Sequence, residues 1–276
     1  MSRFRLGWAL SGDCWRTLRS NRGLVLFPLY GAVALLVVVA PLAGPGAWLA
    51  DRGDSVPGVA LIAAGIYAAA FITTFFGVAL AAAADRALRG KPGGLGYGFG
   101  VARTRLRAIA GWALLTATVS LVIRALESRG EIAQIIGRLF GGAWSLVTFL
   151  ALPVVAEEGL GPIAALKRSA GLFRERWGGQ LGGMASIGIK VLVFGTLPSI
   201  GLVVAGVAIL SGSGSAGLGA GAILVALGVA GFGISMLVGS ALRQVFAVAL
   251  YRYAVDGQAL GGFSTEALDS SVARRS

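Results

Sequence analysis

The sequence predicts an all-α fold. It is read as a polytopic membrane protein of six transmembrane helices with basic amphipathic cytoplasmic helices, forming one integral membrane domain over residues 1–276. Three observations carry this reading. Only 13% of the residues are charged, whereas a soluble domain carries roughly a quarter. Apolar runs of membrane-crossing length recur, and a helical run of about 20 residues crosses a hydrocarbon core of about 30 Å. The mean hydropathy is +0.81, and no barrel-like alternation appears, so helices are left to satisfy the spanning backbone.

Taken in order, the arm over residues 1–22 sets Phe4, Trp8, Trp15 and Leu18 against Arg16, Arg19 and Arg22, as in an amphipathic basic helix. It lacks a small-x-small cleavage signal, so the apolar run that follows reads as a retained span. The six spans fall at about 24–43, 58–84, 108–126, 134–156, 183–210 and 218–250. A second basic segment, with Val101, Leu106 and Ile109 beside Arg103, Arg105 and Arg107, precedes the third span. The preceding glycine-rich stretch GGLGYGFG, residues 93–100, lacks dinucleotide or phosphate-loop spacing and reads as a mobile cytoplasmic loop.

A third basic segment follows the fourth span. There the apolar run ends at Glu157 and Glu158, and Gly159–Gly161 and Pro162 restart a helix. At 100° per residue, Ile163, Leu166, Ala170, Phe173 and Trp177 share one arc, flanked by Lys167 and Arg174, with Arg168 and Arg176 behind. Leu172 falls on the polar side. Such a helix suits the inner headgroup layer, so Lys167, Arg168, Arg174, Arg176 and Trp177 are candidate lipid-headgroup contacts. The architecture thus reads as three units, each a basic helix followed by a two-span hairpin.

Basic residues divide unevenly between alternate loops. Eighteen fall on the side of the N-terminal arm and only four (Arg52, Arg124, Arg129 and Arg138) on the other, leaving aside Lys190 and Arg243 within spans. The positive-inside rule then places both termini in the cytoplasm. The net charge of +12 is explained by this topology rather than by nucleic-acid binding.

Charges within spans are costly, so each is a candidate functional residue. Lys190 and Arg243 sit near the inner ends of the fifth and sixth spans, at a depth similar to Glu157 and Glu158. These four form a candidate inner-leaflet charge cluster, either a polar vestibule or a structural clasp. The chain has no histidine and one cysteine, Cys14. That removes histidine-based catalysis and metal binding as well as an intramolecular disulfide, and no catalytic, cofactor or metal set can be assembled. Small residues at four-residue spacing (Ala69, Thr73 and Gly77; Gly178 and Gly182; Ser235 and Gly239) permit close helix packing within the bundle or between protomers. Trp48 suits the outer interface, with Trp177, Tyr251 and Tyr253 at the inner one.

The stretches SRFRLGWALSGDCWRTLRSNRGLVLFPL, GWALLTATVSLVIRALESR, AWSLVTFLALPVVAEEGLGPIAALKRSAGLFRERWG and QVFAVALYRYAVDG together resemble a family of bacterial six-span integral membrane proteins of unknown function. The resemblance implies a six-span fold in a bacterial inner (plasma) membrane and carries no substrate or catalytic residue. The expected role is a non-enzymatic membrane scaffold or accessory subunit. The alternative is a transporter or lipid-handling protein with a cavity near the inner leaflet. Expected partners are the bilayer itself, with anionic lipid at the cytoplasmic face, and further copies or other subunits met through small-residue helix faces.

Overall fold

In the computed structural model the described residues are 3–52, 55–127, 131–177, 190–212, 214–257, 259–261 and 263. The side chains of 3–11, 50, 55, 131, 132, 139, 143, 146, 173, 175–177, 212 and 214–217 are not among those described. All regular structure in this set is helical. Helix α1 is Arg3–Ser20; a 3-10 turn, Arg22–Val25, leads into α2, Leu26–Asp51. Then follow α3 (Ser55–Leu88), α4 (Leu95–Thr104), α5 (Leu106–Glu127), α6 (Glu131–Thr148), α7 (Ala151–Glu158) and α8 (Pro162–Trp177). A π-turn, Leu192–Thr196, runs into α9, Leu197–Gly212, and α10 is Gly214–Asp256. Helices pair as hairpins, α2 with α3, α5 with α6 and α9 with α10, and another helix (α1, α4 or α8) comes before each in the chain.

Among the described residues, five segments are long and apolar enough to cross a membrane: Arg22–Leu49, Val56–Leu88, Leu106–Glu127, Leu192–Ser211 and Leu218–Asp256. At most 28% of the most apolar stretch of any of them is buried within the protein. Water would not tolerate so much bare apolar surface, whereas lipid covers it without cost.

Burial is concentrated at one end of the bundle. Residues 78–84 of α3, Leu150, Ala151 and 154–156, and most of 241–254 in α10 are enclosed, together with Cys14, Leu18, Leu24 and Phe27. Toward the other end Leu36, Val37, Val56, Val204 and Ile223 are exposed, and close approaches there lie within hairpins, as at Gly46 against Leu61 and Ile62 or Gly221 against Leu210. The lengths explain this division. Helices α3 and α10, with 34 and 43 residues, measure about 51 and 64 Å, well beyond a core of about 30 Å. Their last turns are wrapped by α1, α4, α7 and α8.

This packed end changes several expectations. The predicted fourth span is interrupted: α6 ends at Thr148, Phe149 and Leu150 form a turn, and α7 starts at Ala151. The apolar run continues to Ala156 because α7 is enclosed by protein, with Val154 and Val155 fully buried. Gly159 closes α7 in the left-handed conformation at φ 65°, its N–H bonded to the Val155 carbonyl at 3.1 Å. Of the predicted fifth span, 183–189 lies outside the described residues.

The segment expected to be a mobile loop is helical from Leu95. Its glycines let α4 lie directly on α3: a Cβ on Gly98 would stand 2.4 Å from the Ala79 carbonyl oxygen, and one on Gly93 2.2 Å from that of Ala83. Phe99 then enters an aromatic cluster, its ring 5.2 Å from Phe27, 5.7 Å from Phe76 and 6.1 Å from Phe75. Tyr251 and Tyr253, expected at the interface, are buried because the end of α10 is enclosed by the neighbouring helices.

Helix α8 packs on the protein through Ala165, Ser169 and Leu172, where the Ser169 hydroxyl donates to the Val147 carbonyl. Leu172 therefore belongs to a protein-facing side, and Ile163, on the predicted apolar arc, is 54% exposed. The small residues Gly77, Ser235 and Gly239 are used inside the chain, against Leu152, Gly195 and Val191 respectively.

Candidate functional site

The charged centre of the molecule lies where three helix ends meet. Asp85 arrives one turn before the end of α3, Glu157 and Glu158 close α7, and Arg252 lies in the last two turns of α10. The Arg252 Nε donates to Asp85 Oδ1 and its Nη2 donates to Glu157 Oε2. Its Nη1 lies 3.6 Å from Asp256 Oδ2, one turn on. One guanidinium thus uses three nitrogens on three carboxylates, as its planar fork of five donors allows. Arg89 Nε donates to Asp85 Oδ2 at 3.0 Å and the same side chain reaches Asp256 at 3.9 Å. Glu158 accepts from Arg168 Nε at 3.1 Å and from the Tyr251 hydroxyl at 2.9 Å.

The Arg252 side chain is 11% exposed and Asp85 10%. Charges so enclosed survive only when paired, because each would otherwise lose its hydration without return. Among the described residues, these ion pairs join four carboxylates (Asp85, Glu157, Glu158 and Asp256) to three guanidiniums (Arg89, Arg168 and Arg252). Burial, and then the neighbouring Asp85, hold the Glu157 carboxyl above its ordinary range, against the opposing pull of Arg252.

The residues expected to form one cluster are divided. Glu157 and Glu158 enter this network. Arg243 is exposed, and among the described residues it joins neither glutamate in an ion pair. Lys190 is half-buried and lines a separate crevice with Gly12 and Trp15 of α1. Of the candidate headgroup contacts, Lys167 and Arg174 are exposed and Arg168 is partly spent on Glu158. The side chains of Arg176 and Trp177 lie outside those described. Sequence reasoning missed Asp85 and Asp256, placed Tyr251 at the membrane interface, and counted Arg252 only among the eighteen basic residues of one side. The available signal was a pair of i,i+4 ion pairs, Asp85 with Arg89 and Arg252 with Asp256, each at the end of a long apolar run.

Among the described residues, an all-helical fold with five apolar segments of bilayer-crossing length, clasped at one end by a buried ionic network, is the build of a membrane protein. More particularly, residues 58–262 match a family of unknown function, DUF6159, and the chain belongs to that family. No curated protein and no solved structure matches it.

Proposed function

We propose that the chain is a non-enzymatic membrane scaffold or accessory subunit that crosses a bacterial inner membrane six times, with both termini cytoplasmic. One observation carries the role: the charges at the centre of the molecule are spent on one another, joining three helix ends, which is the work of a clasp. The sixth crossing is supported by the same contact. The ends of α3, α7 and α10 meet at Arg252 and so share one level. Helix α5 leaves that level over about 33 Å, and the chain must return before presenting Glu157. Helix α6, with 18 residues, covers about 27 Å and supplies the return path. Its Arg138 is exposed, consistent with snorkelling at the far interface.

Exposed Lys91, Arg103, Arg107, Lys167 and Arg174 all fall on the side of the packed end, which favours the cytoplasm and contact with anionic headgroups. On α8 the side left over by protein packing is the one carrying Ile163, as an interfacial helix requires. A partner subunit would meet the bare outer faces of the hairpins, since Gly77, Ser235 and Gly239 are occupied within the chain.

Native mass spectrometry of gently extracted protein tests the role. Stoichiometric partner subunits or a defined oligomer support the scaffold, whereas a strict monomer that moves a solute or lipid across vesicles overturns it. Flotation should strengthen with phosphatidylglycerol and weaken with salt. A tag on either terminus that an external protease reaches in intact cells refutes the orientation. The second reading, a lipid-handling protein, draws support from the crevice at Lys190.

A further inference from the structure

The crevice between α1, the π-turn and α10 has a volume of about 380 Å³, within the range of small-ligand sites. Its walls run from polar to apolar along the helix axes. Lys190 and Trp15 stand at the end nearest the packed tier, while Phe194 and Ile234, 70% and 61% exposed, continue it along the apolar stretch. The antiparallel register fixes this gradient: Val191 lies against Gly239 and Gly195 against Ser235, one turn further along.

The π-turn shapes the wall. A π-turn inserts a residue into the helical repeat and recurs at functional sites. Here Gly195 brings the two backbones so close that a Cβ would stand 2.3 Å from Ser235 Oγ. The neighbouring Phe194 is largely exposed and lines the groove.

We propose that this crevice binds one anionic phospholipid, with its phosphate at Lys190 and one acyl chain along Phe194, Val238 and Ile234. The gradient matches an amphiphile that carries one negative charge at the level of the interface. A cationic side chain beside a tryptophan is the pairing that headgroup depth favours. The ammonium has three donors, so a phosphate can share it with a protein partner. The apolar end is open toward the hydrocarbon layer and excludes a free inorganic anion as the natural occupant. The assignment rests on the membrane reading of α9 and α10 and goes beyond the scaffold role.

Native mass spectrometry of the full chain, delipidated in detergent and titrated with phosphatidylglycerol, phosphatidylcholine or inorganic phosphate, tests it. The wild type should retain one phosphatidylglycerol more tightly than phosphatidylcholine. Lys190→Gln should weaken phosphatidylglycerol about fivefold and leave phosphatidylcholine unchanged. Ile234→Trp, at an exposed position on the rim, should lower retention of both lipids and keeps the test open should the lysine variant fail to fold. Equal binding by wild type and Ile234→Trp, or displacement of lipid by inorganic phosphate alone, overturns the proposal. Failure of the wild type to enter vesicles at all would instead refute the membrane reading beneath it.

Discussion

Replacing Arg252 with methionine should unfasten the packed end. The side chain is of similar length and apolar, so the perturbation is electrostatic rather than a cavity. In the wild type one guanidinium holds Asp85, Glu157 and Asp256. In the variant Asp85, with a side chain 10% exposed, and Glu157 are left as neighbouring enclosed carboxylates, with Arg89 remaining on Asp85. Removing one partner of a buried pair costs about 3–5 kcal/mol, most of it the penalty on the charge left behind. The single cysteine supplies the assay. Cys14 is fully buried within the same core, so a thiol-reactive fluorophore reports melting of the packed end. The apparent midpoint should fall by on the order of 10 °C. The triple variant Asp85→Asn, Glu157→Gln, Arg252→Met removes the two more enclosed carboxylate charges and should recover most of the loss. An unchanged midpoint in Arg252→Met, or a triple variant no better than the single, would refute the reasoning.

Stability should also depend on pH through Glu157, whose carboxyl is held above its ordinary value of 4.5 by burial and by Asp85. The folded state therefore binds that proton more tightly than the unfolded chain. The stabilisation is complete below pH 4.5 and is lost as pH rises through the folded value. Melting midpoints should decline over that window in the wild type and stay flatter in Glu157→Gln; matching slopes would rule out Glu157 as the source. Gly98→Val should cost about 1–3 kcal/mol by overpacking, since the Ala79 carbonyl and the Phe27 ring occupy its space. Gly96→Ala in the same helix, with nothing within 4 Å, should be neutral or better in the same melt. Cys14 is buried, and burial together with the adjacent Asp13 raises its thiol pKa. A water-soluble maleimide should therefore leave the folded protein unlabelled at neutral pH and label it on denaturation. Rapid labelling of the native form would show that α1 does not cover this core.

Hydropathy made the long helices legible, because lipid-facing segments must be apolar all round and few other environments ask for that. It also overran. Residues 151–156 are as apolar as a span, yet they are enclosed by protein, and composition does not tell the two surroundings apart. The stretch 93–100 looked like a loop because glycine usually breaks helices; its glycines instead permit contact with the α3 backbone at Ala79 and Ala83. The charge cluster was half legible. Counting depth from each span's entry paired Lys190 and Arg243 with the glutamates, but that arithmetic assumes all spans end at one plane. Helix α10 continues past that plane, so Arg252, not Arg243, arrives beside Glu157. On α8, Leu172 looked misplaced only because the helix has two apolar sides, one for the protein and one left over.

Because cohesion is gathered at one end, the molecule resembles a trident held by its handle. On the proposed membrane reading, lipid covers the flanks of the prongs, and harsh detergent should let them sway while the handle stays rigid. Bilayer thinning or thickening would be absorbed by the prongs' splay, leaving the grip untouched.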